Sequence, residues 1–245
     1  MKARDILSAL LLLLVCAGTC AVSSCSKNDA EENEPAEYKS DGSSNGHMYV
    51  DLALPSGTLW ATCNVGANRP EEYGSYFAWG ETKPKDKYSL ETYVFFGGYK
   101  SNGRLVLLKY CTDSGYGSVD GKNELEPEDD AATANWGKKW QTPSKEQLEE
   151  LIDENNITTE WTTLNGVNGL KIISRRNGKS VFLPAAGINE SGSTSLYVEY
   201  KMGYYMSRMS KKNTEMYVLF ADDTPKVDYD TWRWEGHSVR PVRKQ

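Results

Sequence analysis

Two Asn-Gly pairs, Asn165-Gly166 and Asn177-Gly178, each sit between β-rich runs, and this is the feature that most narrows how the chain can fold. Asparagine and glycine enter the left-handed backbone region at low steric cost, so such pairs mark hairpins. The runs Thr158 to Leu164, Leu170 to Ser174 and Lys179 to Leu183 are therefore predicted to form an antiparallel meander. Pro184-Ala185-Ala186-Gly187 ends it, and a Ser/Gly loop follows from Asn189 to Thr194.

The same logic applies at both ends of the folded region. His47 to Leu54 and Thr58 to Gly66 flank Pro55-Ser56-Gly57, which predicts a hairpin. From Met202 to Arg243 apolar residues recur at every second position, with tyrosines, tryptophans and charges interleaved, which predicts three or four short strands. Between these parts lie Pro70 to Tyr73, read as one helical turn, and Lys83 to Arg104, read as a long surface loop with one short strand.

Only two stretches carry a helical signature. Glu128-Asp129-Asp130 precedes Ala131 to Asn135, and acids in a first turn complement the helix dipole. A calcium loop competes for those acids, but no EF-hand-like register is present, and no metal or other cofactor is expected. Thr142 as N-cap and Pro143 at the first helical position predict the second helix. Leu148, Leu151 and Ile152 fall on one of its faces, while Glu149, Glu150, Asp153 and Glu154 face water. Trp136 and Trp140 flank the helices and are read as core rather than as a sugar platform.

Several ordered blocks then carry a resemblance. They are Val50-Asp51-Leu52, Leu54-Pro55-Ser56-Gly57-Thr58, Trp60-Ala61-Thr62-Cys63-Asn64-Val65-Gly66-Ala67, Phe77-Ala78-Trp79-Gly80-Glu81, Lys109-Tyr110-Cys111-Thr112, Gly115-Tyr116-Gly117, Phe182-Leu183-Pro184-Ala185-Ala186-Gly187, Gly203-Tyr204-Tyr205 and Ser238-Val239-Arg240-Pro241-Val242-Arg243. From about 47 to 243 the chain resembles the Fibrobacter succinogenes major paralogous domain family, found in secreted proteins and lipoproteins of gut Bacteroidetes. The resemblance implies a C-type-lectin-like α+β fold, with small antiparallel sheets, two helices and a loop-rich ligand face. The family commonly continues Gly-Tyr-Tyr with Trp-Ser-Ser, where this chain has Met206-Ser207-Arg208.

The N-terminus predicts export. Lys2 and Arg4 precede an apolar run from Ile6 to Val15, which has the length of a signal-peptide core and is too short to span a bilayer. Val22-Ser23-Ser24-Cys25 resembles a bacterial lipobox, with Cys20 as the second choice, so residues 1–24 are expected to be a lipoprotein signal and Cys25 the lipidated residue. Residues 25–46 read as a flexible tether, acidic from Asp29 to Glu37. An acidic run after the lipid cysteine resembles the signal that sends lipoproteins to the surface of the outer membrane. Residues 47–245 form the expected domain.

Composition limits the chemistry. A net charge of −6 over 245 residues, with only Lys211-Lys212 and the closing Arg240, Arg243 and Lys244 clustered, argues against a nucleic-acid partner. Cys63 and Cys111 remain beyond the signal and lipobox; outside the cytoplasm a disulfide between them is expected, two free thiols being the alternative. His47 and His237 are the only histidines, and neither sits in a nucleophile motif.

What remains is a binding surface. Tyr205, Arg208, Tyr217, Asp228, Tyr229, Asp230, Trp232 and Trp234 offer flat rings for stacking and charged groups for orientation, and they are the candidate ligand contacts. The expectation is a non-catalytic adhesin or glycan-binding lipoprotein, held by its lipid on the membrane, with a glycan or protein as ligand. A structural component of a surface complex and a carbohydrate-active enzyme are the alternatives.

Overall fold

A computed structural model of the chain describes residues 39–190, 196–197, 201–228 and 231–244. Strands β1 (Gly42–Ser44), β2 (His47–Asp51) and β3 (Thr58–Ala61) come first, then β4 (Tyr76–Phe77), β5 (Phe96–Tyr99) and β6 (Leu105–Leu107). Helices α1 (Ala131–Trp136) and α2 (Lys145–Leu151) follow. The meander is β7 (Ile157–Leu164), β8 (Val167–Ser174) and β9 (Ser180–Pro184), followed by β10 (Ile188–Asn189) and β11 (Leu196–Tyr197). The chain closes with β12 (Gly203–Ser210), β13 (Met216–Ala221), β14 (Lys226–Asp228), β15 (His237–Ser238) and β16 (Val242–Lys244).

Three sheets carry the architecture, ordered β1-β2-β3-β16, β14-β13-β12-β15-β4 and β7-β8-β9, with β5–β6 and β10–β11 as separate pairs. Among the described residues the pairings between these strands are antiparallel except β12 with β15. Small antiparallel sheets and two short helices make this an α+β protein, as expected.

The meander follows from its turns. β7 and β8 stay in register from Ile157↔Ser174 to Leu164↔Val167, and Asn165 (φ 48°) and Gly166 (φ 84°) make the left-handed turn between them. Asn45 (φ 51°) and Gly46 (φ 80°) do the same between β1 and β2, so the sheet begins inside the segment expected to be tether. The Ser/Gly composition of 41–46 hid a third Asn-Gly hairpin.

Each helix end is set by side chains. Asp130 caps α1, accepting hydrogen bonds from Ala132 N at 2.8 Å and Thr133 N at 3.1 Å. Its carboxylate also takes the amide and hydroxyl of Thr142, each at 2.9 Å, which is why Thr142 is not the cap of α2. Ser144 takes that role in a reciprocal capping box with Gln147. Leu148 and Leu151 are buried with Trp60, Leu170, Leu183 and Leu219, each contributing about 2 kcal/mol of apolar burial. A second cluster joins Trp136 and Trp140 to Trp79, Tyr110 and Val239, so both tryptophans are core.

Other expectations need correction. The closing stretch forms five strands, not three or four, because after β15 the chain leaves one sheet and β16 pairs with β3 in another. Pro70 to Tyr73 holds a non-helical turn, closed by Glu72 N on Arg69 O at 3.2 Å. The 83–104 stretch is not all surface, since Tyr88 and Tyr93 are buried. The expected Cys63–Cys111 disulfide is absent, and the two side chains are thiols. Cys111 packs with Ala78, Tyr88, Tyr93 and Leu107 and gives its thiol proton to Asp113 O at 3.2 Å, whereas Cys63 lines a separate small pocket with His47 and Trp136.

Candidate functional site

The site is built around a buried arginine between two tryptophans. Arg233 is 1% exposed, and its guanidinium donates to Tyr110 O at 2.9 Å and Lys212 O at 2.7 Å while lying 4.4 Å over the Trp79 ring. Its backbone is fixed too, by Arg233 N on Thr214 O at 3.0 Å and Trp79 N on Arg233 O at 2.7 Å. Trp232 N donates to Glu235 Oε2 at 2.9 Å, closing the turn. With Arg233 held inward, the residues on either side bring their indoles together, stacked in parallel with centroids 5.1 Å apart and planes 5° apart. Trp232 keeps 44% of its surface in water, and Trp234 is half-buried against the cluster around Tyr88 and Leu107.

This pair borders an open groove of about 630 Å³, lined also by Arg104, Tyr116, Lys211, Lys212 and Asp113. Arg104 lies 4.7 Å over the Tyr116 ring. A Cβ at Gly115 would come within 2.3 Å of the Arg104 guanidinium and would push that side chain aside from its present place. Lys212 pairs with Glu215 at 3.1 Å, and Lys211 lies 5.6 Å from the centre of the Tyr217 ring. Indole and phenol rings beside fixed cations suit a ligand with flat, partly apolar faces and polar edges.

The expected contact residues divide. Trp232 and Trp234 meet at the groove, and Tyr217 lies half-buried behind Lys211. Tyr205 is a correction: it is fully buried in β12, and its hydroxyl donates to Pro184 O at 2.8 Å, because this side of the strand faces the core. Arg208 holds elements together, donating to Glu124 at 2.5 Å, Thr142 O at 3.2 Å and Gln147 Oε1 at 3.1 Å. Asp228 is half-buried on β14, 3.2 Å from Lys226. Tyr229 and Asp230 lie outside the described residues, as do Cys25 and the signal segment.

Sequence reasoning missed Arg233, Arg104 and Tyr116. The alternation Trp232-Arg233-Trp234 did signal two residues on one side and one on the other. The histidines take structural places. His47 stacks on Trp136 at 3.8 Å, and His237 is buried, with its Nδ1 2.9 Å from Glu235 O. Burial holds the His237 imidazole neutral by lowering its pKa to about 3. No cluster of three or more metal-ligating side chains occurs among the described residues.

Fold and site thus define an α+β protein of small antiparallel sheets that presents an aromatic, charged groove. The chain matches no protein-family model, no curated protein and no solved structure.

Proposed function

We propose that this chain is a lipoprotein, anchored through Cys25 and displayed at the outer membrane surface, that binds a glycan or protein ligand without catalysis. The parallel-stacked Trp232–Trp234 pair at the edge of a charged groove carries the reading. Stacked indoles give a broad flat face with little side-chain entropy left to lose, the usual requirement for holding a sugar ring or an aromatic side chain. The C-type-lectin-like reading of the fold is supported by the pairing of the closing strand β16 with the opening hairpin and by the long connections between β4 and α1.

The test is an array of glycans and host proteins probed with the purified full chain in detergent, beside a Trp232→Ala/Trp234→Ala variant whose circular dichroism matches the parent. Capture by the parent that the variant loses supports the reading. Capture that survives the change places binding elsewhere, and absence of capture with co-purification of envelope proteins favours a structural role.

A further inference from the structure

A second groove, away from the tryptophan pair in its lining residues, is basic. It encloses about 740 Å³ and is lined by Lys138, Lys139, Arg208 and Arg243 with Gln141 and Trp140 among the remaining residues, and no carboxylate lines it. In a chain of net charge −6 such a concentration of cations is not the average surface. Lys138 and Lys139 are exposed and have no ion-pair partner among the described residues. Arg208 uses its Nε and Nη1 on Glu124, Thr142 and Gln147, which leaves Nη2 without a hydrogen-bond partner among the described residues.

The cations stand on fixed supports. Arg243 lies 5.0 Å over the Tyr49 ring, on a strand paired with β3. The 137–141 segment is tied to that same strand through Gln141, whose N donates to Val242 O at 3.0 Å and whose O accepts from Val242 N at 2.9 Å. Gln147, which orients Arg208, is itself held by Ser144 N at 2.9 Å and donates to Thr58 Oγ1 at 3.0 Å. Preorganised cations of one sign in a concave site raise the local concentration of anions and bind them with little reorganisation.

We propose that this groove binds the oxyanions of an acidic polysaccharide, through carboxylate or sulfate groups spaced along the chain. A groove open to solvent admits a chain, and several separate cations match repeated charges rather than one terminal group. Strand addition by a peptide is closed off beside Arg243, because the Gln141 pairing already occupies the β16 edge. This assignment is independent of the tryptophan groove.

Calorimetric titration of the full chain in detergent tests it, with hexagalacturonate, a heparin-derived hexasaccharide, neutral maltohexaose and hexaglutamate as probes. Binding of hexagalacturonate or the heparin fragment is expected, weakening as salt rises. A Lys138→Glu/Lys139→Glu variant, changed only at exposed positions, is expected to lose at least tenfold in affinity, while a Lys87→Glu/Arg176→Glu variant, with the same change of charge at exposed positions outside both grooves, keeps it. Affinity unchanged in the lysine variant, equal affinity for maltohexaose, stronger binding of hexaglutamate, or no binding of either acidic saccharide would each overturn the proposal.

Discussion

The guanidinium of Arg240 donates from Nε to the side-chain oxygen of Asn64 at 2.8 Å, in a fully buried contact that joins the end of the chain to the loop after β3. Its other nitrogens reach Ala61 O at 3.2 Å, Thr62 O at 2.8 Å and Phe182 O at 2.9 Å, so one side chain ties the opening hairpin to the meander. Asn64 in turn donates to Tyr73 O at 2.9 Å.

Replacing Arg240 by methionine keeps much of the volume but leaves these acceptors without a donor in the interior. The expected loss is about 3 kcal/mol or more, read as a lower urea midpoint. Lysine at this position is expected to recover only part, since an ammonium cannot match the fork of the guanidinium. A loss under about 1 kcal/mol for Arg240→Met would contradict this role.

Asp130 offers a similar test. Asp130→Ala removes the cap of α1 and the tie to Thr142 together, with an expected cost of about 2 kcal/mol or more in the same denaturation measurement. Thr142→Val removes only the hydroxyl contact and is expected to cost less.

His237 sets a pH dependence. Its folded pKa is lowered to about 3 from an ordinary 6.5, so above 6.5 it is neutral in both states and contributes no pH slope. Below 6.5 the unfolded chain takes up a proton that the native imidazole refuses, and this share of stability falls by about 1.4 kcal/mol per pH unit until the folded pKa is reached. Urea titrations between pH 7 and 4.5 are expected to show a slope that is about one proton smaller in His237→Asn. Equal slopes in parent and variant would show that the ring protonates in the folded protein.

The two thiols give a covalent test. Cys63 is half-buried and Cys111 buried, and they sit in separate packing environments. Alkylation of the native protein is expected to modify Cys63 first and Cys111 only after unfolding, with both found by peptide mass spectrometry of denatured, unreduced samples. A linked Cys63–Cys111 peptide would contradict the absence of a bond between them.

What could be read from the sequence was mostly local. Asn165-Gly166 fixed a hairpin because its turn geometry depends on those two residues alone, and Leu148 with Leu151 marked the buried face of α2 because helical spacing places them together. Thr142 was the expected N-cap because it precedes Pro143; Ser144 takes the role instead, and the distant Asp130 that holds Thr142 is not visible in the local pattern. Alternation marked Tyr205 and Trp232 equally as aromatic strand residues. It could not say that one faces the core and the other water, since the residues that bury Tyr205 come from far away in the chain. The bond from Arg233 to Tyr110, across 123 positions, is invisible to any short-range pattern.

The central claim is that Trp232 and Trp234 form a ligand platform. The most direct measurement is the dissociation constant of whichever array-selected ligand the full chain captures, for the parent and for Trp232→Ala and Trp232→Phe. Loss of one stacking face is expected to weaken binding by about tenfold, with phenylalanine restoring part of it, while the circular dichroism matches the parent and the urea midpoint falls only modestly, because Trp232 keeps 44% of its surface in water. A dissociation constant unchanged in Trp232→Ala, with the fold intact, would contradict the account.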